Sequence, residues 1–172
     1  NGGIQIRGDA MYGEGYSMTI NGTSGEIWGT INEHSCGPPP VNADFDAAAA
    51  SNDNATVGLT STGRSPFLGN TRNISLESDE ILTLAGGTYY FGSLKIVGQA
   101  TLHITGPTEI YVTGTALFTG GGIVNVSGHA PDLVIYSSGA LLNMSGNSDF
   151  YGGIVAPLSD VLLEGTNAYY GT

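Results

Sequence analysis

The acidic side chains are the residues with which this chain could perform acid–base chemistry. Asp44 and Asp46 form one pair, and Glu77, Asp79 and Glu80 form a second group. A glycoside hydrolase needs two carboxylates about 5–10 Å apart on one face. Both groups fall in segments with the pattern of a loop or a helix start, where carboxylates more often cap helices or face solvent. They therefore do not predict a hydrolase.

The basic residues limit the remaining glycan chemistry. A polysaccharide lyase needs a basic residue to remove a proton and a cation to neutralise the sugar acid. The chain offers only Lys95, Arg7, Arg64 and Arg72, against 15 acidic residues, for a formal net charge of −11. This balance also disfavours a phosphate backbone or an anionic membrane as partner. We expect no enzyme, no nucleic-acid partner and no membrane insertion by this segment.

Metal and cofactor chemistry has little basis in the sequence. Cys36 is the single cysteine, and no Cys or His cluster has the spacing of a metal site. The acidic run at 77–80 matches no standard calcium loop. An Arg-Gly-Asp tripeptide at 7–9 ends a strand-like run, and the five Asn-x-Ser/Thr sequons follow from a composition rich in Asn, Ser and Thr. We expect neither a metal nor a cofactor.

The second half of the chain repeats one short pattern at intervals of about 18–22 residues. In each copy the second and fourth positions are apolar and a glycine follows two residues later. The aligned segments are ILTLAG (81–86), TLHITG (101–106), IVNVSG (123–128), LLNMSG (141–146) and DVLLEG (160–165). Alternation with period two indicates strands with one buried face, and recurrence of the strand indicates stacked repeats.

These features predict an all-β chain folded as a parallel β-helix, or β-solenoid. Further short strands lie between the aligned segments, so each turn holds two or three strands and stacks on the next at about 4.8 Å. An antiparallel sandwich is the alternative. The gapless alignment of the copies and the near absence of Asn-Gly hairpin signals after residue 81 favour the solenoid.

The chain divides into three parts of a single domain. Residues 1–35 have the pattern of further turns, and residues 73–172 form the regular turns. Residues 36–72 are Pro-rich and then Ala-rich, with one short helix predicted at about 44–50 and Asp44 as its cap. We expect this excursion to cover one flank or end of the rod, and the strands to resume near 73–76.

Two columns of polar residues are predicted to point outward from the middle turns. This predicted polar face consists of His103, Asn125 and Asn143 beside Thr105, Ser127 and Ser145. It could bind a glycan or another regular surface. The alternative, which the residues favour, is a solvated face whose amides bond along the stack. Ice binding would need stacked Thr-x-Thr motifs, and the only clear one, at 113–115, has no partner in neighbouring turns.

The longer motifs show a family resemblance. GGTYYFGSLKIVGQATLHITGPTEIYVTG, APDLVIYSSG and GNSDFYGGIVAPLSDVLLEGTNAYYG, covering roughly 42–172 together with FDAAAASNDNA, resemble the β-helical domain of PilX-like and other type IV pilus-associated surface proteins. They are also similar to choice-of-anchor surface proteins. The resemblance implies a right-handed coil, display at the cell surface and no catalytic residues. The apolar pilin helix of such proteins is missing from this sequence.

The function expected from these observations is a non-enzymatic extracellular module, structural or adhesive, on a pilus or cell surface. Its expected partners are other surface or pilus subunits, copies of itself, or a glycan. The alternatives are a filament subunit that stacks through open ends and a glycan-binding or glycan-degrading β-helix. The last turn, VLLEGTNAYYGT, carries no evident cap, so the protein continues, a partner covers it, or copies stack. Because the chain opens directly on a strand-like pattern, we expect a trimmed or mature form.

Overall fold

A computed structural model describes residues 5–7, 10–13, 18–21, 26–27, 31–34, 44–164 and 168–171 of the chain. In this part of the chain, short parallel strands stack as a β-solenoid of about five turns, with one short α-helix. The predicted all-β solenoid is confirmed. The right-handed sense of the coil stays a prediction.

The elements follow one another along the chain as short strands separated by turns. The strands before the helix are β1 (Gln5–Arg7), β2 (Ala10–Gly13), β3 (Met18–Asn21), β4 (Glu26–Ile27) and β5 (Ile31–His34). The helix is α1 (Phe45–Ala50), and 3₁₀ turns cover Asn54–Thr56 and Ala130–Asp132. The later strands are β6 (Asn73–Leu76), β7 (Ile81–Leu84), β8 (Gly87–Phe91), β9 (Ser93–Ile96), β10 (Thr101–Ile104), β11 (Thr108–Val112), β12 (Ala116–Phe118), β13 (Gly122–Asn125), β14 (Leu133–Ser137), β15 (Leu141–Met144), β16 (Phe150–Tyr151), β17 (Gly153–Val155), β18 (Asp160–Glu164) and β19 (Ala168–Tyr170).

The strands stack into separate parallel sheets that form the faces of the rod. The six-strand face has the order β3-β18-β15-β12-β9-β6, and the three-strand face has the order β13-β10-β7. The tyrosine face has the order β17-β14-β11-β8. Two further sheets, β16-β19-β1-β4 and β2-β5, include the N-terminal strands. Each strand therefore pairs with strands of the next turns rather than with its neighbour in sequence.

The core is a set of apolar columns that run along the inside of the rod. Parallel register places Leu102 between Leu82 and Ile123, all three of them buried. Phe91 lies beside Val112 on the next turn in the same way. Burying one such side chain contributes about 1.5–3 kcal/mol. No turn can bury its inner face alone, so the turns stabilise each other.

The N-terminal strands lie at the opposite end of the rod from the turn that starts at β6. Strand β3 pairs with β18, and β1 pairs with β19, so residues of the first part of the chain continue the stack beyond the last turn. The described strands of residues 1–35 therefore follow the regular turns in space, although they precede them in sequence. The expectation that the last turn carries no cap is therefore wrong, because the chain's own β1 and β3 cover it.

Each of the five aligned segments contains a strand, as predicted. The prediction that all five stack on one face is wrong, because two of them lie on another face. Strands β7, β10 and β13 stack on the three-strand face, whereas β15 and β18 lie on the six-strand face. Both faces bury alternate residues, so their strands have the same sequence pattern. Strand β13 is also shifted by one residue, since Asn125 lies opposite Ile104 rather than His103.

Residues 44–72, which precede β6, form one end of the rod. The helix α1 begins where predicted, and the Asp44 carboxylate accepts a hydrogen bond from the Ala47 N–H at 2.8 Å. We call residues 44–72 the cap segment. The Phe67–Ile74 bridge joins it to β6, and it also bonds to the edges of β7 and β8. The predicted excursion spans 36–72, and its described part, the cap segment, lies against the β6–β8 end of the rod.

Candidate binding surface

The structure does not bring the six residues of the predicted polar face together. His103 and Thr105 lie on the three-strand face, where His103 is half-buried and Thr105 is exposed. Asn143 and Ser145 belong to the six-strand face and are both half-buried. The remaining two members, Asn125 and Ser127, occupy the end of β13 and the turn after it. The two predicted columns therefore do not exist as a continuous surface.

Asn125 points into the structure and braces a turn. Its side chain is 6% exposed, and its amide nitrogen donates to the carbonyl oxygens of His129 at 2.8 Å and Tyr151 at 3.0 Å. Its amide oxygen accepts a hydrogen bond from the Ser127 hydroxyl at 2.9 Å. Every polar atom of this amide has a partner within the chain. Asn125 is therefore a structural residue, and the sequon that starts there is buried at its acceptor position.

Ser127, His129 and Asp132 lie close together in the same turn and resemble the residue types of a nucleophilic triad. The Ser127 Oγ bonds to the Asp132 carboxylate at 2.6 Å, and the His129 Nδ1 lies 3.9 Å from the same carboxylate. In a triad the histidine stands between the serine and the acid and accepts the serine's proton. Here the carboxylate occupies the middle position. The arrangement closes a turn and does not activate the serine.

Asn143 lies among apolar neighbours on the six-strand face. Its register partners on the adjacent strands are Leu117 and Leu162, both half-buried. The Oδ1 atom of Asn143 is buried and has no hydrogen-bond partner among the described residues. This face therefore presents leucines beside the amide and lacks the continuous row of amides that the alignment predicted.

Glu80, one of the carboxylates considered for catalysis, is engaged in structural contacts. Glu80 is 5% exposed, and its oxygens accept hydrogen bonds from Arg64 Nε at 2.7 Å, from the Thr62 hydroxyl at 3.0 Å and from the Thr60 hydroxyl at 3.1 Å. A second guanidinium nitrogen of Arg64 also contacts Glu80. The bonds from Arg64 lower the pKa of Glu80 to about 2. This carboxylate stays ionised and cannot supply a proton near neutral pH.

A column of tyrosines runs along the tyrosine face, and the sequence analysis missed it. Tyr90, Tyr111 and Tyr136 are in register on three successive strands. The rings of Tyr111 and Tyr136 stack with centroids 4.7 Å apart, and Phe45 of α1 packs its edge against Tyr111 at 5.2 Å. The guanidinium of Arg72 lies 5.0 Å from the Tyr90 ring centre. An alignment of GTYYF, TEIYV and LVIYS reveals this column.

The stacked tyrosines pack the cap segment against the rod and leave no flat aromatic platform. The ring of Tyr111 is 7% exposed, and its faces are directed along the stack towards neighbouring rings. Burial raises the pKa of Tyr111 to about 12, with a further contribution from the Glu109 carboxylate. A sugar ring stacks on an open aromatic face. The tyrosine face does not offer such faces, so we assign it a structural role.

The three-strand face is a second surface, besides the six-strand face, that could contact a partner. Register places Thr101 beside Ile81 and Gly122, and His103 beside Thr83 and Val124. Gly122 is buried, and Ala85, Thr105 and Val126 are exposed residues just after the three strands. These described positions hold hydroxyl, methyl and imidazole groups and no carboxylate, ammonium or guanidinium. Val126, in the turn that follows β13, is 59% exposed. These positions are uncharged and recur at the strand spacing of about 4.8 Å.

Several features fall outside these surfaces or outside the described residues. No group of three or more His, Cys, Asp or Glu side chains that could hold a metal occurs among the described residues. Cys36 and the Gly8-Asp9 part of the Arg-Gly-Asp tripeptide are not described. In the described part of the chain, no helix is long and apolar enough to cross a membrane.

Comparison with protein families finds a match for about half of the chain. Residues 92–172 are similar to a family described as a domain of unknown function (DUF7305). These residues include the strands from β9 to β19. No curated protein and no solved structure matches the chain. The family similarity assigns no activity, so the function is argued from the surfaces.

Proposed function

We propose that this chain is a non-enzymatic adhesive and structural module, displayed outside the cell on a pilus or cell surface. The observation that carries the proposal is the three-strand face. Its outward positions form an uncharged array of hydroxyl, methyl and imidazole groups at the strand spacing of about 4.8 Å. Such an array fits a partner that is itself regular and neutral. A polysaccharide chain has these properties.

A structural role is supported by how the chain uses its carboxylates. Asp44 caps α1, and Glu80 is held by Arg64. Asp53 and Asp149 each accept a hydrogen bond from a backbone N–H, those of Thr88 and Ala168. These groups stabilise turns and edges. Their engagement supports a module that binds without catalysis.

An extracellular location is supported by composition and by the sequence resemblance. A net charge of −11 with one lysine disfavours binding to nucleic acid or anionic membranes. The resemblance to pilus-associated and choice-of-anchor surface proteins indicates display at a cell surface. In this proposal the rod lies beside other surface or pilus subunits. Its three-strand face points outward and binds a glycan.

The test is binding of the labelled chain to an array of neutral and acidic polysaccharides. Thr105→Glu places a charge at an exposed position of the proposed contact face, at the end of β10. Thr119→Glu places the same charge at the end of a strand on the six-strand face and is the matched control. We expect binding of the wild type to a neutral glycan, a loss of about tenfold or more in Thr105→Glu, and no change in Thr119→Glu.

Two results would contradict the proposal. The first is the absence of binding by the wild-type chain to any glycan on the array. The second is an equal loss of binding in both variants, which would place the contact elsewhere or indicate a general effect of charge. Thermal unfolding of each variant establishes that the fold is retained before binding is compared.

A further inference from the structure

The cap segment bonds to the outer strand edges of the turn formed by β6, β7 and β8. A terminal turn of a solenoid exposes unpaired backbone groups, which accept strands from other chains. In this rod each of the three edges instead bonds to residues of the cap segment. Side chains and single backbone groups make most of these contacts. They supply the hydrogen-bond donors and acceptors that the backbone of a further strand would supply.

On the tyrosine face, two residues of the cap segment satisfy the edge of β8. The Asp53 N–H donates to the Thr88 carbonyl oxygen at 2.7 Å, and the Asp53 carboxylate accepts from the Thr88 N–H at 2.9 Å. The Asn54 amide donates to the Tyr90 carbonyl oxygen at 2.6 Å and accepts from the Tyr90 N–H at 3.0 Å. Each side chain thus supplies the acceptor, and in Asn54 also the donor, that a further strand would supply.

The other two edges are closed in a similar way. On the three-strand face, the Ser61 N–H donates to the Ile81 carbonyl oxygen at 2.8 Å, and the Ser61 hydroxyl accepts from the Ile81 N–H at 2.9 Å. On the six-strand face, the Ser75 N–H donates to the Pro66 carbonyl oxygen at 3.0 Å. Glu80 and Arg64 hold the loop between these two contacts in place.

The opposite end of the rod presents strands that match these edges. Among the described residues, β3, β4 and β5 are the outermost strands of their sheets. The sheets are parallel throughout, so a second copy placed end to end would bring its β3, β4 and β5 edges to a β6, β7 and β8 edge in the same direction. A contact between two different ends is heterologous and produces filaments when it does not close.

We propose that the cap segment is a stop that prevents head-to-tail stacking of copies of this chain. The partner that fits the edges beneath it is the β3–β5 end of a second copy. The capped chain remains a monomer, and removal of the edge contacts converts it into an end-to-end assembly. The net charge of −11 opposes stacking, so assembly of the uncapped chain strengthens as salt screens this repulsion.

The test removes the side chains that replace a strand and leaves the rest of the chain intact. The triple variant Asp53→Ala, Asn54→Ala, Ser61→Ala removes the side-chain contacts on two edges and leaves the backbone hydrogen bonds of Asp53 and Ser61. The control variant Asp46→Ala, Asn70→Ala, Ser65→Ala changes the same residue types at exposed positions of the cap segment. Hydrogen exchange at the Thr88, Tyr90 and Ile81 amides measures whether the edges have opened. Light scattering over a concentration series at low and high salt measures assembly, with electron microscopy of the same samples.

The proposal predicts faster exchange at these three amides in the triple variant, by about tenfold or more, and a mass that grows with concentration and salt into linear particles. The wild type and the control variant keep the mass of one chain. Opened edges with an unchanged mass would overturn the proposal, as would unchanged exchange in the triple variant. Linear assemblies of the wild type would also overturn it.

A second variant is available if the triple variant does not fold. Glu80→Gln keeps the size of the side chain and removes the charge that holds Arg64, Thr60 and Thr62. The same two measurements apply to it. Faster exchange at Ile81 with growth in mass supports the stop; faster exchange without growth, or no change in exchange, contradicts it.

Discussion

Replacing Arg64 with methionine isolates the contribution of the buried ion pair to the stability of the cap segment. Methionine keeps the length and apolar stem of the side chain and removes the guanidinium. The Glu80 carboxylate then stays in a site where it is 5% exposed, with the hydroxyls of Thr60 and Thr62 and the Glu77 N–H as its remaining donors. A buried charge that loses its partner destabilises the folded state.

The size of the effect follows from the pKa of Glu80. Its folded value of about 2 lies below the ordinary 4.5, and one pKa unit corresponds to about 1.4 kcal/mol, so the net stabilisation of the charged carboxylate is about 3 kcal/mol. Arg64 is 42% exposed, so solvent screens part of its interaction, and neutral donors also hold the carboxylate. We expect Arg64→Met to lower the free energy of unfolding by about 2 kcal/mol at neutral pH.

The dependence on pH distinguishes this ion pair from simple loss of packing. Because the folded pKa is lowered, the stabilisation is present above about 4.5 and is lost as the pH falls towards about 2. The difference in unfolding free energy between wild type and Arg64→Met is therefore expected to shrink towards zero across this window. Urea unfolding at a series of pH values, monitored by circular dichroism, measures this difference in unfolding free energy. The other carboxylates are present in both proteins, so their contributions cancel in the difference.

Arg72→Met is the matched control, because Arg72 contacts the Tyr90 ring from an exposed position. It should cost about 0.5–1 kcal/mol, with no dependence on pH between about 2 and 4.5. The reasoning is refuted if Arg64→Met costs less than about 0.5 kcal/mol. It is refuted equally if its cost is the same at pH about 3 and at neutral pH.

Three other properties follow from the geometry. Burial raises the pKa of Tyr111 to about 12, so its contribution to stability should be lost as the pH rises from 10 towards about 12. Ultraviolet titration of the wild type and of Tyr111→Phe measures the ionisation of this phenol by difference. Gly139→Ala should cost about 3 kcal/mol in urea unfolding, since a Cβ there would overlap a carbonyl oxygen of the next turn. Gly58→Ala, in open space, should change stability by less than about 0.5 kcal/mol. Asn125→Ala should cost about 2 kcal/mol, whereas Asn143→Ala, whose amide oxygen has no partner among the described residues, should cost less than about 0.5 kcal/mol in the same assay.

The candidate surface shows where prediction from the sequence fails in this fold. His103 and Thr105 are predicted outward and lie on the three-strand face. Asn125 carries the same pattern but is shifted by one residue, and a shift of one residue exchanges the inner and outer faces of a strand. Asn143 has the expected alternation but stacks on a different face. Alternation identifies which residues of a strand share a side and does not identify the sheet.

The placement of the N-terminal strands had no signal in the sequence. Ile6 pairs with Tyr169, and Thr19 pairs with Leu162, so the contacts that cover the last turn join residues from opposite ends of the chain. Each strand carries only a local pattern of buried and exposed positions. The pattern is compatible with either end of the rod, because all turns offer similar parallel edges.

The sequence by itself determined the local structure of this protein: the strands, their inward residues, and the helix that starts at Asp44. These depend on alternation, helix propensity and capping, which act over a few residues. The tertiary structure decided which strands stack, which polar residues share a face, and how each end of the rod is covered. These features depend on strand register and on contacts between residues that are distant in sequence. Register is set by the varying lengths of the turns, and a local pattern of apolar and polar residues does not encode it.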